Sequence, residues 1–199
     1  GGLPGELHKL WRVPGVGGYH LEYGYSCMGY EIAGGIGVKL AQPEREVFVL
    51  GGDGSYLMLN SELATAAAAG VKIVVVLLDN HGFGCIHRLQ AATGGAPFQS
   101  LLADRAGRAP NIDFAAHARA LGAEAEAVKG IPALEEALGR ARRAAEPYVI
   151  TIETDPACGT AEGGAWWDVA VPEVSERAEV RAAREAYVRH RAAQRRTGD

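Results

Sequence analysis

The sequence predicts an α/β fold: a doubly wound, mostly parallel sheet with helices on both faces, followed by a C-terminal helical tail. Three observations carry this. Runs of strand length at 46–50, 71–78, 123–128 and 147–153 alternate with stretches of helical length and composition, and such alternation builds a parallel sheet covered by helices. The first two runs end in glycine-bearing loops, Gly51-Gly52-Asp53-Gly54-Ser55 and Asp79-Asn80-His81-Gly82-Phe83-Gly84. With a helix between them, both loops leave the same carboxyl edge of a parallel pair, which is where open α/β sheets bind ligands. The third observation is size, since 199 residues of which 48% are hydrophobic suit one domain with a real core.

Each element has a local reason. A short helix over 5–13 is broken by Gly15-Val16-Gly17-Gly18, and His8 and Trp11 share one of its faces at i, i+3. The helix after Met28 contains Gly29, Gly34, Gly35 and Gly37. Each interior Gly weakens a helix by roughly 1 kcal/mol relative to Ala, so their number implies close approach of backbone or ligand. The helix linking the first two strands is expected over 60–69, with Asn60 or Ser61 as its cap, Glu62 at its positive end and Gly70 as its stop. Beyond Asn80 a helix over 83–90 is expected to carry Cys85, Ile86 and His87, before a long irregular segment to Pro110. Asp113 caps the next helix, which ends at Gly122. A helix over 131–145 precedes the last strand, and a charged helix is predicted over 173–196. These boundaries divide the chain into a ligand-binding domain at 1–154 and a C-terminal extension at 155–199. The adjacent Trp166 and Trp167 are expected to pack against another domain or subunit.

Composition excludes several classes. A net charge of −4 offers no bulk attraction for nucleic acid, and no apolar run approaches the length of a membrane span. Three scattered cysteines, Cys27, Cys85 and Cys158, suit a reducing cytoplasmic setting and neither a disulfide framework nor a zinc site. A chain that begins Gly1-Gly2 without Met is expected to be a piece of something longer.

The paired loops carry the chemistry. Asp53 offers a carboxylate and Asn80 a neutral carbonyl oxygen, 80 − 53 = 27 residues later. Hard oxygen ligands, incomplete in number, suit Mg²⁺ shared with substrate phosphates. Gly54 and Ser55 open towards a helix whose free N–H groups favour an anion. Either loop alone fits a turn without a ligand; the pair at this spacing points to a metal-bridged diphosphate.

This arrangement, Gly52-Asp53-Gly54, then helix and strand, then Asn80, resembles the cofactor motif of thiamine diphosphate enzymes, with Asp79-Asn80 where Asn-Asn is usual. The stretch from Ile36-Gly37 through Pro43 to Phe48-Val49-Leu50-Gly51-Gly52-Asp53-Gly54-Ser55 is similar to the acetolactate synthase-like branch. The resemblance implies thiamine diphosphate and Mg²⁺ as cofactors, side-chain metal ligands at Asp53 and Asn80, and a backbone carbonyl ligand at Gly82. It also implies that Gly52, Gly54 and Ser55 border the diphosphate, that Met28 supports a bent cofactor, and that the Ser26 carbonyl accepts from its aminopyrimidine. Leu3 and Pro4 either skirt the diphosphate or only pack their helix. His81 and His87 either reach substrate or diphosphate or are solvated loop histidines.

Two stretches, 19–31 and 163–175, look like the members of that branch that open a cyclic dione by hydrolysis in myo-inositol breakdown. The substrate so implied is a small molecule, a cyclic dione, or a 2-oxo acid if the chain follows the branch's carboligases and decarboxylases. A domain that only binds the cofactor or holds an assembly together is the reading of another class. The activating glutamate is implied to lie in a separate pyrimidine-binding domain, supplied by a partner subunit of a homodimer or homotetramer. No residue of 1–199 is assigned a catalytic role, and the fragment alone is expected to be inactive.

Overall fold

A computed structural model describes residues 2–22, 24–102, 110–160 and 169–194. Four strands form one parallel sheet in the order β1-β2-β4-β3: β1 (Phe48–Gly52), β2 (Val74–Asp79), β3 (Glu124–Val128) and β4 (Tyr148–Glu153). Among the described residues eight helices surround or flank it: α1 (Gly2–Leu10), α2 (Tyr30–Ala41), α3 (Asp53–Tyr56), α4 (Glu62–Ala68), α5 (Gly84–Ala92), α6 (Phe114–Ala120), α7 (Gly130–Arg143) and α8 (Ala178–Ala193). The expected doubly wound α/β architecture is therefore present.

The pleat sorts the core into two layers, because successive strand residues face opposite sides. Ile73, Val75 and Leu77 of the β2 region, with Val49 and Val149, pack with Ile32 and Ile36 of α2, Leu63 and Ala66 of α4, and Phe114 and Ala118 of α6. Val74, Tyr148 and Ile150 point the other way, onto Ala137 and Ala141 of α7. A strand buried on both faces reads as a continuous apolar run, as 73–77 does. Of the α2 glycines, Gly37 has nothing within 4 Å of its Cβ position, whereas Gly35 does admit close contact, since a Cβ there would lie 2.3 Å from Val49 Cγ2. That approach seats α2 on the sheet.

Several boundaries differ from the sequence reading, each for a physical reason. Helix α1 begins at Gly2, since Pro4 is tolerated in a first turn, and it stops before Val13-Pro14, where proline disfavours helix for the preceding residue. The expected single link between β1 and β2 is two helices, a four-residue turn at Asp53–Tyr56 and then Glu62–Ala68. Ser61 stands at the N-cap of α4 but makes no side-chain cap bond, while the Asn60 amide donates back to the Leu57 carbonyl. Helix α8 starts at Ala178 rather than 173, leaving Val174 exposed. Asp113 does cap α6, its carboxylate accepting from Ala116 N at 2.8 Å. His8 and Trp11 do share a side, both rings lying about 6 Å from Tyr19, at 6.1 and 6.3 Å. Trp166 and Trp167 lie outside the described residues. Among the described residues no helix is long and apolar enough to cross a membrane.

Candidate functional site

Strand pairing brings the two sequence loops together. Gly52 of β1 pairs in register with Leu78 of β2, so the residues after each strand end, Asp53 and Asn80, emerge side by side. Asp53 opens α3 and is fully buried. Its Oδ2 accepts from Gly82 N at 2.6 Å and its Oδ1 from Asn80 N at 3.4 Å. Burial, reinforced by the nearby Asp79 carboxylate, raises the Asp53 pKa above the ordinary aspartate value even though these backbone donors favour the anion. A buried carboxylate left with net negative surroundings is a poor resident and a good cation ligand.

Asn80 completes a trio. One arm of its amide lies 2.8 Å from the Gly82 carbonyl oxygen and 3.3 Å from Asp53 Oδ1. With the amino group on that arm, Asn80 donates to both oxygens and closes the loop. With the carbonyl on that arm, its oxygen lies 2.8 Å from the Gly82 carbonyl and 3.3 Å from Asp53 Oδ1, both close to the roughly 3 Å edge of an octahedron of Mg²⁺ ligands at about 2.1 Å. The donor set so formed is one carboxylate, one amide oxygen and one backbone carbonyl. That set fits Mg²⁺ and leaves positions for phosphate oxygens and water. Among the described residues no three His, Cys, Asp or Glu side chains gather as a metal site, and this trio needs none.

The loop 79–84 is held on every side. Phe83 N donates to Ser100 O at 2.8 Å, Leu102 N to His81 O at 2.7 Å, and Thr154 N to Asp79 O at 2.7 Å. Gly82, at φ +142°, has no room for a side chain: a Cβ would sit 2.6 Å from Ser100 O. The described non-glycine residues with positive φ are Ser26, His81 and Gln99. Two of these, Ser26 and His81, border predicted ligand positions, and Gln99 precedes the strap that touches Gly82; strained backbone gathers at functional sites.

The turn bearing Ser26 and Met28 joins the same edge through Gly29, whose N–H donates to Ser55 Oγ at 2.8 Å. Met28 is half-buried and Ser26 exposed. Ser55 itself is turned inward, its hydroxyl donating to the Glu31 carboxylate at 2.6 and 2.7 Å. It therefore has only its backbone N–H to offer an anion, and α3 is too short at four residues to carry a full helix dipole. The Glu31 latch went unread in the sequence; only the packing of α2 on α3 reveals it. Glu153 was missed likewise. Its Oε1 lies 2.9 Å from His81 Nε2, and this hydrogen bond, with the field of Asp79, raises the His81 pKa. His87 sits in α5 with its Nδ1 buried and without a partner among the described residues.

A parallel sheet whose carboxyl edge gathers an Asp, an Asn and a glycine carbonyl has the form of a diphosphate-cofactor domain. The chain belongs to the family described as thiamine pyrophosphate enzyme, C-terminal TPP binding domain, whose model matches residues 1–152. It is 43% identical over 190 residues to the 3D-(3,5/4)-trihydroxycyclohexane-1,2-dione hydrolase of Geobacillus thermodenitrificans, an alignment that covers 92% of this chain and 30% of that one. The Shouchella clausii protein of the same name is 44% identical over 88% of this chain and 28% of its own length. The chain thus spans less than a third of these curated relatives. Among solved structures it is similar to the thiamine diphosphate-dependent 4-hydroxybenzoylformate decarboxylase of Rhodococcus jostii RHA1. That match has a TM-score of 0.58 and 26% identity, and covers 64% of this chain and 23% of that one.

Proposed function

We propose that this chain is the cofactor-holding C-terminal part of a hydrolase that opens trihydroxycyclohexane-1,2-dione at a C–C bond to give a 5-deoxy-glucuronate, in myo-inositol breakdown. The observation that carries the reading is the 43–44% identity, spread over about nine-tenths of the chain, to hydrolases of that name.

In this reading Asp53, Asn80 and the Gly82 carbonyl hold Mg²⁺ against the diphosphate, and the backbone at Gly52, Gly54 and Ser55 borders it. Asp53 supplies the trio's only charge, which is why its burial is tolerated. Met28, next to Gly29 whose N–H donates to Ser55 of α3, would support the cofactor, and the Ser26 carbonyl would accept from its aminopyrimidine. Thiamine diphosphate, when bound, supplies a nucleophilic thiazolium carbon for attack on a substrate carbonyl.

The remaining machinery is assigned to parts of the enzyme outside 1–199, a pyrimidine-binding domain carrying the activating glutamate and contributed by a partner subunit of a cytoplasmic homodimer or homotetramer. Supporting such a partner, Tyr25, Leu57, Met58 and Leu59 are exposed large apolar side chains near the turn 26–29, and Gly29 sits against Met58 and Leu59. Residues 1–199 alone should therefore turn nothing over.

The test is a substrate panel on the full-length protein that carries this chain. Ring opening of the cyclic dione without CO₂ release supports the proposal; CO₂ release from 2-oxo acids with no action on the dione replaces it by a decarboxylase or carboligase.

A further inference from the structure

The metal-facing loop carries a residue in an unfavourable backbone state. His81 stands between Asn80 and Gly82 at φ +61°, the left-handed region that costs any residue with a Cβ. The ring is pinned between two strand ends. Its Nε2 is 2.9 Å from Glu153 Oε1 at the end of β4, its Nδ1 is 3.4 Å from Asp79 Oδ1 at the end of β2, and its backbone N–H donates to the same Asp79 oxygen at 2.9 Å. Asp79 and Glu153 are themselves register partners on adjacent strands, so the ring bridges the two strands that flank the loop. The turn at His81 lies between two of the proposed ligands: the Asn80 amide arm on one side of it and the Gly82 carbonyl on the other are 2.8 Å apart.

We propose that Glu153 and His81 are positioning residues for the cation site: Glu153 fixes the His81 ring, the fixed ring keeps the left-handed turn, and the turn converges Asn80 and Gly82 on Asp53. This rests on the metal reading of the site. It assigns His81 a conformational task, and neither residue touches the cation or the substrate.

The distinction is testable because glycine enters the left-handed region freely. The full-length protein with thiamine diphosphate is titrated with Mn²⁺ as the probe, its free signal read by electron paramagnetic resonance, in wild type, Glu153→Ala, His81→Ala, His81→Gly and the Glu153→Ala/His81→Gly double variant. Loss of a residue that orients metal ligands typically weakens metal binding by about 10-fold to 100-fold, so Glu153→Ala and His81→Ala should each weaken Mn²⁺ by about 10-fold. His81→Gly should stay within about threefold of wild type, and adding Glu153→Ala to it should change nothing further. The Tm of the unloaded protein should hardly move in Glu153→Ala, because the Glu153 side chain is 75% exposed. Undiminished Mn²⁺ affinity in Glu153→Ala, or a His81→Gly variant as weak as His81→Ala, overturns the proposal. Failure of the wild type to bind Mn²⁺ in the presence of the cofactor would instead overturn the metal reading beneath it.

Discussion

Replacing Gly82 by alanine should be among the most damaging single-methyl additions in the chain, and its cost can be worked from the loop. Two terms add. The backbone at φ +142° lies where only glycine is comfortable, a strain of about 1–3 kcal/mol for another residue. The added Cβ would then sit 2.6 Å from Ser100 O, 2.9 Å from Leu101 Cα and 3.3 Å from Leu102 N, all backbone atoms with little freedom to give, and overpacking of this kind costs about 1–3 kcal/mol more. A total of about 2–6 kcal/mol lowers Tm by about 4–24 °C for a chain of this size. Gly37→Ala serves as the control, because nothing lies within 4 Å of its Cβ position in α2, and alanine there should be neutral or stabilise by up to about 1 kcal/mol. Thermal unfolding of the two variants beside wild type reads the difference. A Gly82→Ala protein melting within about 1 °C of wild type would refute the loop geometry on which the cation site depends.

Asp53→Asn should stabilise the unloaded protein by on the order of 1 kcal/mol, since it removes a buried charge, while eliminating any gain in Tm from Mg²⁺ with thiamine diphosphate; a variant that still gains as much as wild type contradicts the ligand assignment. The pH dependence follows from the raised Asp53 pKa. A carboxyl whose folded pKa lies above its unfolded value binds more protons in the folded state, so its stabilisation is full below the unfolded pKa and is lost as pH rises through the folded one. The advantage of Asp53→Asn should therefore grow as pH rises from about 3.8 through that window, and a constant advantage would mean that Asp53 is not strained by its charge. Gly35→Ala, with its Cβ 2.3 Å from Val49 Cγ2, should cost about 1–3 kcal/mol, and adding Val49→Ala should recover part of it. Costs that simply sum in the double variant would show that the two do not touch.

The order of strands and helices and the meeting of two distant loops were legible because both rest on local signals: apolar runs, glycine punctuation and the rule that parallel connections return to the same edge. Asp53 and Asn80, 27 residues apart, were brought together by nothing more than register. What stayed hidden depended on packing between elements. The short helix α3 hid because Gly52-Asp53-Gly54 reads as a loop, while the helix expected over 60–69 corresponds to α4. The inward turn of Ser55 hid because its partner Glu31 comes from α2, and the Glu153–His81 bridge because its members lie 72 residues apart. The expected start of α8 at 173 was too early: Val174 is exposed and the helix begins at Ala178. Sequence charge and hydrophobicity mark which residues are available; the partners of a polar group are fixed by tertiary contact.

The central claim is that Asp53, Asn80 and Gly82 hold the cation that ties a diphosphate cofactor to the sheet edge, and calorimetric titration of thiamine diphosphate into the full-length protein tests it most directly. With Mg²⁺ present the wild type should bind, and removal of Mg²⁺ by chelation, Asp53→Ala or Asn80→Ala should each weaken binding by about 100-fold, equivalent to about 2.7 kcal/mol, with the far-ultraviolet circular dichroism unchanged. Affinity that is indifferent to Mg²⁺, or undiminished in Asp53→Ala, would contradict the account.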